Sequence, residues 1–356
     1  MGVESLSVDV GYVVRCGNGS VERYLGGAAL KCGNANYYVT PLNPPREVEL
    51  HRYITSMVLT STALYVGYYT RPGLVDVLDI NTLDVVHTFK APSGHDRVSA
   101  LVLSNTALYV GYWAKPCIVD MIDSNTLEVV RTFEAPSGHY DVHALVLSST
   151  ALYVAYDTAP GIVDMLDLNT LDMINTFKAP YGHDLITALA ASSTALYVGY
   201  RSHPGIIDVL NLNTLKRIRT FNAQSEYDKI HALVLTSTAL YVGYGTYPGI
   251  IDVLDPNTLD VVRTFKAPSG YDEIRALALS STALYVVYII DPAIIDVLNP
   301  STLDLVIDVS PCCGGFVVSN GGSSIIHRFD GVYTITPINN DSIRVGDRMY
   351  SFIKTS

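Results

Sequence analysis

Short apolar runs rich in Val, Ile, Leu and Tyr recur along the chain at one constant spacing. In the copy that spans residues 98–133, four runs cover 98–104, 107–113, 117–123 and 127–133, with short polar links between them. β-Branched and aromatic residues dominate these runs, and they lack the i, i+3, i+4 apolar spacing of an amphipathic helix. Each copy therefore predicts four short β-strands, called a, b, c and d in chain order.

The copies follow one another without insertion. Each begins its second run with the string ALYV, and successive strings start 44 positions apart. The strings begin at Ala63, Ala107, Ala151, Ala195, Ala239 and Ala283. Four-stranded units repeated every ~40 to 45 residues are typical of a β-propeller. We therefore predict an all-β propeller with six clear four-stranded blades.

The third copy resembles a WD-repeat blade. Gly138-His139 lies where that family has its Gly-His pair, and Leu166-Asp167 lies where it has Trp-Asp. The ALYV…IVDMLD…NTL portion is also similar to the YVTN-type repeats of microbial surface-layer propellers. The resemblance covers residues 51–310 and implies the fold, while saying little about function.

The copies also depart from the WD pattern. None has the Trp of the Trp-Asp pair, and none has the Asp that the family places in its b–c turn. Tyr227 and Tyr271 replace the His of the Gly-His pair in later copies. We therefore expect the family's internal hydrogen-bonded tetrad to be absent.

Two arms flank the repeats, at residues 1–50 and 311–356. They resemble each other, with YYVTPLN at 37–43 in the first and YTITPIN at 333–339 in the second. Because the ends of a ring lie close together, we expect the arms to pair into one small β-domain next to the propeller of residues 51–310. The alternatives are a C-terminal arm that forms a degenerate seventh blade, and an N-terminal arm that adds an eighth.

Four of the five cysteines lie in the arms: Cys16, Cys32, Cys312 and Cys313. Disulfides among them and four reduced thiols are both compatible with the sequence, and adjacent cysteines do not match the C-x-x-C spacing of a zinc site. Cys117 occupies a position that is Gly in four blades and Ala in the sixth. We interpret its thiol as tolerated there and not as a nucleophile.

Strand direction predicts which loops share a face. If strand a runs downward, the b–c turn and the d–a connection lie on the top, and the a–b and c–d turns lie on the bottom. The bottom turns are nearly uniform, and we expect their Asn and Thr side chains to bond the backbone. The three positions before the proline of the b–c turn instead change chemistry from blade to blade.

These variable positions predict a contact surface on the top face. Binding residues concentrate on loops of a rigid scaffold, and Trp, Tyr and Arg contribute most of the energy at interfaces. The candidate binding residues are Tyr69, Arg71, Trp113, Lys115, Asp157, Arg201, His203, Tyr247 and Asp291. We expect Ala at Trp113 and Tyr247 to weaken binding and to leave stability nearly intact.

One aspartate per blade lies on strand c. Because every blade carries it, the ring predicts hydrogen bonds that serve the blade itself, and no metal site. The six residues are Asp76, Asp120, Asp164, Asp208, Asp252 and Asp296.

Composition narrows the class of partner. A net charge of −11 without a basic stripe disfavours nucleic acid. No apolar run is long enough for a transmembrane helix, and the N-terminus lacks the pattern of a signal peptide. Charged residues are only 16% of the chain, against about 25% in typical soluble domains. This composition suits an acidic or extracellular setting.

The sequence contains no G-x-S-x-G, H-E-x-x-H, P-loop or dinucleotide motif, so we predict no catalytic residue and no cofactor. The leading hypothesis is a non-enzymatic binding or structural module on a cell envelope, an extracellular assembly or a virus particle. Its top face would engage a protein or a glycan, and its arms would mediate self-assembly or docking. The alternatives are a cytoplasmic WD-type scaffold and a propeller hydrolase.

Overall fold

The chain was analysed as a computed structural model. It describes residues 11–15, 21–25, 29–32, 35–41, 54–60, 62–79, 84–279, 284–288, 295–311, 316–318, 324–328, 331–339, 342–345 and 348–355. Every regular element within these residues is a β-strand.

The strands fall into an N-terminal group, six blades and a C-terminal group. The N-terminal group is β1 (Gly11–Arg15), β2 (Val21–Leu25), β3 (Ala29–Cys32) and β4 (Ala35–Pro41). Blade 1 is β5 (Ile54–Leu59), β6 (Ala63–Tyr68), β7 (Leu74–Asp79) and β8 (Val85–Lys90). Blade 2 is β9 (Val98–Leu103), β10 (Ala107–Tyr112), β11 (Ile118–Asp123) and β12 (Val129–Glu134). Blade 3 is β13 (Val142–Leu147), β14 (Ala151–Tyr156), β15 (Ile162–Asp167) and β16 (Met173–Lys178).

The remaining strands continue this order. Blade 4 is β17 (Ile186–Ala191), β18 (Ala195–Tyr200), β19 (Ile206–Asn211) and β20 (Arg217–Asn222). Blade 5 is β21 (Ile230–Leu235), β22 (Leu240–Tyr244), β23 (Ile250–Leu254) and β24 (Val261–Lys266). Blade 6 is β25 (Ile274–Leu279), β26 (Leu284–Tyr288), β27 (Ile295–Leu298) and β28 (Leu305–Pro311). The C-terminal group is β29 (Phe316–Val318), β30 (Ser324–Arg328), β31 (Gly331–Asn339), β32 (Ser342–Val345) and β33 (Arg348–Thr355).

Each blade is an antiparallel sheet in which strand a pairs with b, b with c, and c with d. The six a strands contact one another in succession, so strand a is the innermost strand of each blade. In blade 2, for example, strands b and c are buried while strand d is largely exposed. The arrangement is β-propeller-like, and it confirms the predicted fold class.

Close packing between neighbouring blades forms the core. A small residue on strand b faces the a strand of the following blade. This residue is Gly111 in blade 2 and Ala155 in blade 3. A Cβ atom on Gly111 would lie 2.5 Å from Val142 Cγ1, so this step needs a close backbone approach. The Tyr153 hydroxyl reaches the next blade and donates to Leu212 O at 2.8 Å.

The two halves of the N-terminal arm pair with different sheets. Strand β4 pairs antiparallel with β33, with Val39 opposite Phe352, in a seven-stranded sheet that contains β3 and β29–β33. The arms therefore meet in one sheet, as the sequence predicts. Strands β1 and β2 instead extend blade 6, because β1 pairs with β28. The sequence did not predict this second pairing.

Strand β29 contacts both β25 and β5, so the seven-stranded sheet lies next to blades 6 and 1. Its division into a separate domain, or into a seventh blade, stays a prediction. Cys16, Cys312 and Cys313 lie outside the described residues, and only the backbone of Cys32 is described, in β3. The pairing of these cysteines likewise stays a prediction.

Backbone hydrogen bonds place the two predicted sets of loops on one face. Arg97 N, at the end of the d–a loop, donates to Thr70 O in the b–c turn of blade 1 at 2.8 Å. In the opposite direction Gly73 N donates to His95 O, also at 2.8 Å. The b–c turns and the d–a loops therefore form the top face together.

The bottom turns are stabilised by a residue that the sequence analysis did not select. At the end of strand c, Asp123 Oδ1 accepts from Asn125 N and Thr126 N, each at 2.9 Å. These two bonds lower the pKa of Asp123 below its ordinary value. Leu127 then adopts a φ of 56°, and the equivalent leucines of the later blades do the same. Leu171 is only 3% exposed, so burial offsets its backbone strain.

Candidate ligand-binding face

A buried hydrogen-bond network supports the top face from below. In blade 2, Asp120 accepts from Thr132 Oγ1 at 2.6 Å, from His95 Nδ1 at 2.7 Å and from Tyr112 OH at 2.9 Å. Asp120 is fully buried. Burial, followed by the charge of Asp120, raises the pKa of Tyr112 well above its ordinary value. One carboxylate thus ties strands b, c and d to the loop that carries His95.

Related networks occur in the other blades. In blade 4, Asp208 bonds Tyr200, Thr220 and His183. Tyr227 replaces the His in blade 5, and its ring lies 5.1 Å from that of Tyr244. The WD pattern of residues is absent, but a four-residue network serves each of blades 2 and 4 in its place. The aspartates on strand c act in the structure of the blade.

The structure separates the three variable positions of the b–c turns in blades 1 to 5, which are the turns that it describes. The third position points to solvent: the side chains of Arg71 and His203 are 64% and 66% exposed, and Tyr247 is 71% exposed. The middle position is buried or half-buried, with Thr158 only 5% exposed. Lys115, at the third position of blade 2, places Nζ 5.1 Å from the Tyr140 ring. The third positions are therefore accessible to a partner.

In blades 1 and 2 the first variable position is packed. Tyr69 and Trp113 meet edge to face across blades 1 and 2, with ring centroids 5.4 Å apart, and Arg97 lies 4.5 Å above the Tyr69 ring. Trp113 is only partly exposed, and its Nε1 is buried. With this packing, Trp113→Ala is expected to cost stability as well as binding, in contrast to the expectation from sequence. Because Tyr247 is exposed, we still expect Tyr247→Ala to weaken binding and to leave stability nearly intact. Asp291 lies outside the described residues.

Strand a contains a feature that the sequence analysis missed. Its register shifts at the second residue in every blade, so that residue forms a β-bulge against strand b. A bulge redirects its side chain, and bulges are common next to functional sites. We call these residues the bulge ring: Thr55, Ser99, His143, Thr187, His231 and Arg275.

The bulge ring lies along the central channel and links neighbouring blades. Thr55 Oγ1 donates to Val98 O of the next blade at 2.5 Å, and His231 Nδ1 lies 3.1 Å from Ile274 O of the next blade. Arg275 is exposed. A signal for this ring exists in the sequence, because the second residue of strand a varies among Thr, Ser, His and Arg while the third is Ala in five blades.

The first variable positions lie close to the bulge ring. A Cβ atom on Gly245 would lie 3.0 Å from Cε1 of His231, so the missing side chain leaves room for that imidazole. Burial lowers the pKa of His143. Asp157 opposes this shift, and Arg275, Arg201 and His231 add to it. His143 and Arg275 lie in blades 3 and 6, and both occupy the bulge of the innermost strand.

Cys117 disturbs the regular pattern at one point. Its thiol is buried, and burial raises its pKa to about 12, which does not fit a nucleophile. In the adjacent loop, His139 Nδ1 lies 3.0 Å from Pro136 O, and its Nε2 is 3.4 Å from Asp164. The equivalent His183 uses Nδ1 to bond Asp208 at 2.8 Å. Gly73 is the equivalent of Cys117 in blade 1, and a Cβ atom there would lie 3.1 Å from His95 O. The side chain of Cys117 therefore displaces the loop that carries His139.

This interpretation predicts the effect of Cys117→Gly. The shorter residue should let His139 Nδ1 bond Asp164 directly, with the geometry seen at His183. Stability should change by no more than about 1 kcal/mol, because a regained hydrogen bond offsets the flexibility of glycine. A crystal structure of the variant checks the result, with His183 as the internal reference. A His139 that keeps its contact with Pro136 O would contradict it.

No protein-family model and no curated protein matches the chain. Many solved chains are similar to it in structure. One is a crystal structure of the computationally designed Ika8 protein, with a TM-score of 0.61 over 92% of this chain and 96% of that chain. The two sequences are 16% identical, so this similarity shows the fold alone. The chain has a repeat fold of four-stranded antiparallel sheets, arranged like a propeller.

Two properties of the described residues bear on membranes and metals. None of these residues belongs to a helix with the length and apolarity needed to cross a bilayer. In the same part of the chain, no three His, Cys, Asp or Glu side chains are grouped so as to hold a metal ion.

Proposed function

We propose that this protein is a non-enzymatic binding or structural module that engages a protein or a glycan through its top face. The observation that carries this proposal is the division within the b–c turns of blades 1 to 5. A buried or half-buried middle position and the hydrogen-bond network below it hold the turn, while exposed third positions present different chemistry from blade to blade. Rigid support with variable, accessible tips is the usual construction of a recognition surface.

We place this function on an exterior surface, such as a cell envelope, an extracellular assembly or a virus particle. The low content of charged residues supports this location. Strand β2, the edge strand of the sheet that β1 joins to blade 6, supports a role of the arms in docking to neighbouring copies, because an edge strand can pair with another chain. A cytoplasmic scaffold of the WD type is the second candidate. The masses of the intact and alkylated protein separate them, because disulfides among the arm cysteines favour the exterior and free thiols the cytoplasm.

A hydrolase is the third candidate, and it needs free carboxylates that converge on one site. Asp120, Asp164 and Asp208 are instead engaged with Tyr and Thr hydroxyls. This engagement supports a binding module.

Tyr247→Ala tests the proposed face. The side chain is 71% exposed, so we expect the free energy of unfolding to change by less than about 0.5 kcal/mol. Partner binding should weaken by about 2 kcal/mol, the usual loss for an aromatic anchor. The measurement is binding to arrays of immobilised glycans and to purified envelope proteins, together with urea unfolding.

Ile218→Ala is the matched control, because Ile218 is 52% exposed on strand d, away from the top face. It should leave binding unchanged. Equal losses of binding in the two variants would show that the top face is not the recognition surface.

A further inference from the structure

The top of the central channel combines cationic and aromatic side chains from different blades. The innermost strands contact one another in chain order around this opening. In blades 1 to 5 the first variable position directly follows strand b, whose last residue pairs with the first residue of strand a, next to the bulge ring. We call the opening with these side chains the channel mouth. Its residues are Tyr69, Trp113, Asp157, Arg201, His143, His231 and Arg275.

Two guanidinium groups in the channel mouth are available to a ligand. Within the described residues, no carboxylate forms an ion pair with Arg201 or Arg275. Lys229, by contrast, is already paired with Asp228 and Glu273, each at 3.7 Å. Unpaired guanidinium groups in a protein of net charge −11 favour an anion, and their planar fork matches a carboxylate.

Trp113 and Tyr69 supply an apolar surface to the channel mouth. Trp113 is partly exposed, and its edge-to-face contact with Tyr69 holds the indole in one orientation. A flat aromatic surface packs against the C–H face of a sugar ring. Asp157, in the next blade, provides an acceptor for a sugar hydroxyl. These groups together match a sugar that carries a carboxylate better than they match a simple anion.

We propose that the channel mouth binds an acidic sugar unit, with its carboxylate on Arg275 and Arg201 and its ring against Trp113. This proposal rests on the proposed function of the top face and names the class of its ligand. The bulged register of strand a is the structural reason, because a bulge redirects the side chain of its extra residue, which here is Arg275 or one of the two histidines of the bulge ring.

The chain contains one tryptophan, so its fluorescence reports on the channel mouth alone. The experiment titrates the full-length protein with glucuronate at pH 6 and constant ionic strength. Glucose serves as the neutral ring, and acetate as the carboxylate without a ring. We expect a saturable change with glucuronate and an affinity at least about tenfold weaker for glucose and acetate. If glucuronate binds without changing the tryptophan fluorescence, saturation-transfer NMR on the glucuronate protons detects the binding.

Arg275→Gln should weaken glucuronate binding at least about tenfold. Arg263→Gln is the matched control, since it makes the same change of charge at an exposed position on strand d, away from the mouth. Three results would overturn the proposal: no glucuronate binding by either method, equal affinity for glucose, or equal effects of the two variants.

These outcomes are separable from those of the proposed function. If neutral glycans or proteins bind the top face through Tyr247 while glucuronate does not bind, the recognition face stands and the acidic sugar is wrong. If glucuronate binds through Arg275 while Tyr247→Ala affects the binding of no partner, the acidic-sugar site is correct and the third positions of the b–c turns are not the recognition surface.

Discussion

Asp120→Ala is expected to destabilise the protein by about 3–5 kcal/mol. The substitution removes a fully buried carboxylate that accepts three hydrogen bonds, and it leaves the hydroxyls of Tyr112 and Thr132 without their acceptor. It also releases His95, and with it the loop between blades 1 and 2. The top face above blade 2 should therefore loosen together with the blade.

Asp120→Asn should cost less, about 1–3 kcal/mol, because the amide keeps one acceptor oxygen and loses the charge. Urea unfolding at pH 7 measures both variants. Asp260→Ala is the control, since this aspartate is exposed and its side chain belongs to no network. Equal unfolding midpoints for the Asp120 and Asp260 variants would mean that the network adds no stability.

The network shows what the sequence predicts well. Identical residues at a spacing of 44 predict identical surroundings, so the aspartates of strand c could be assigned to hydrogen bonds within the blade. The partners were harder to predict, because His95 comes from the preceding loop and lies 25 positions before Asp120. When the sequence is divided into repeat units, His95 and Asp120 fall in different units.

The bulge ring shows what pattern alone misses. Apolar alternation assigns strand a as regular, and a bulge changes neither the composition nor the length of the run. Only the register against strand b shows that His143 stands outside the pleat. Trp113 illustrates a related limit of the sequence: variability marks the b–c turn as a surface feature, but it does not distinguish a packed first position from an exposed third one.

The pairing of β1 with blade 6 has a different origin. The similarity of the arms predicts that they meet, and β4 with β33 meets that expectation. Strand β1 pairs instead with β28, the outer strand of blade 6. An outer strand has unpaired backbone groups along its whole length, so it can take a strand of almost any sequence. Sequence similarity therefore carries little information about this contact.

Acid is expected to weaken the fold through His143. Burial lowers its pKa in the folded state, while the unfolded chain binds a proton near the ordinary value of 6.5. Between these two values the unfolded state carries more protons, so the free energy of unfolding falls as the pH drops below about 6.5. Below the lowered pKa, both states are protonated and the contribution becomes constant.

His143→Gln isolates this contribution. Between pH 7.5 and pH 5, the free energy of unfolding should decrease less in this variant than in the wild type. Burial raises the pKa of Asp252 and Asp141, which acts in the opposite direction, but these groups are common to both proteins. His87→Gln, at an exposed position on β8, should follow the wild type. Parallel pH profiles for all three proteins would contradict the role of His143.

The same histidine links the acid response to the channel mouth. His143 belongs to the bulge ring together with His231 and Arg275, so its protonation adds positive charge where the carboxylate of an acidic sugar would lie. A bound anion favours the charged imidazole and should recover part of the stability lost at pH 5. Glucuronate should therefore raise the unfolding midpoint more at pH 5 than at pH 7.5, and this difference should shrink in His143→Gln. An equal rise at both pH values would show that the anion binds without sensing the imidazole.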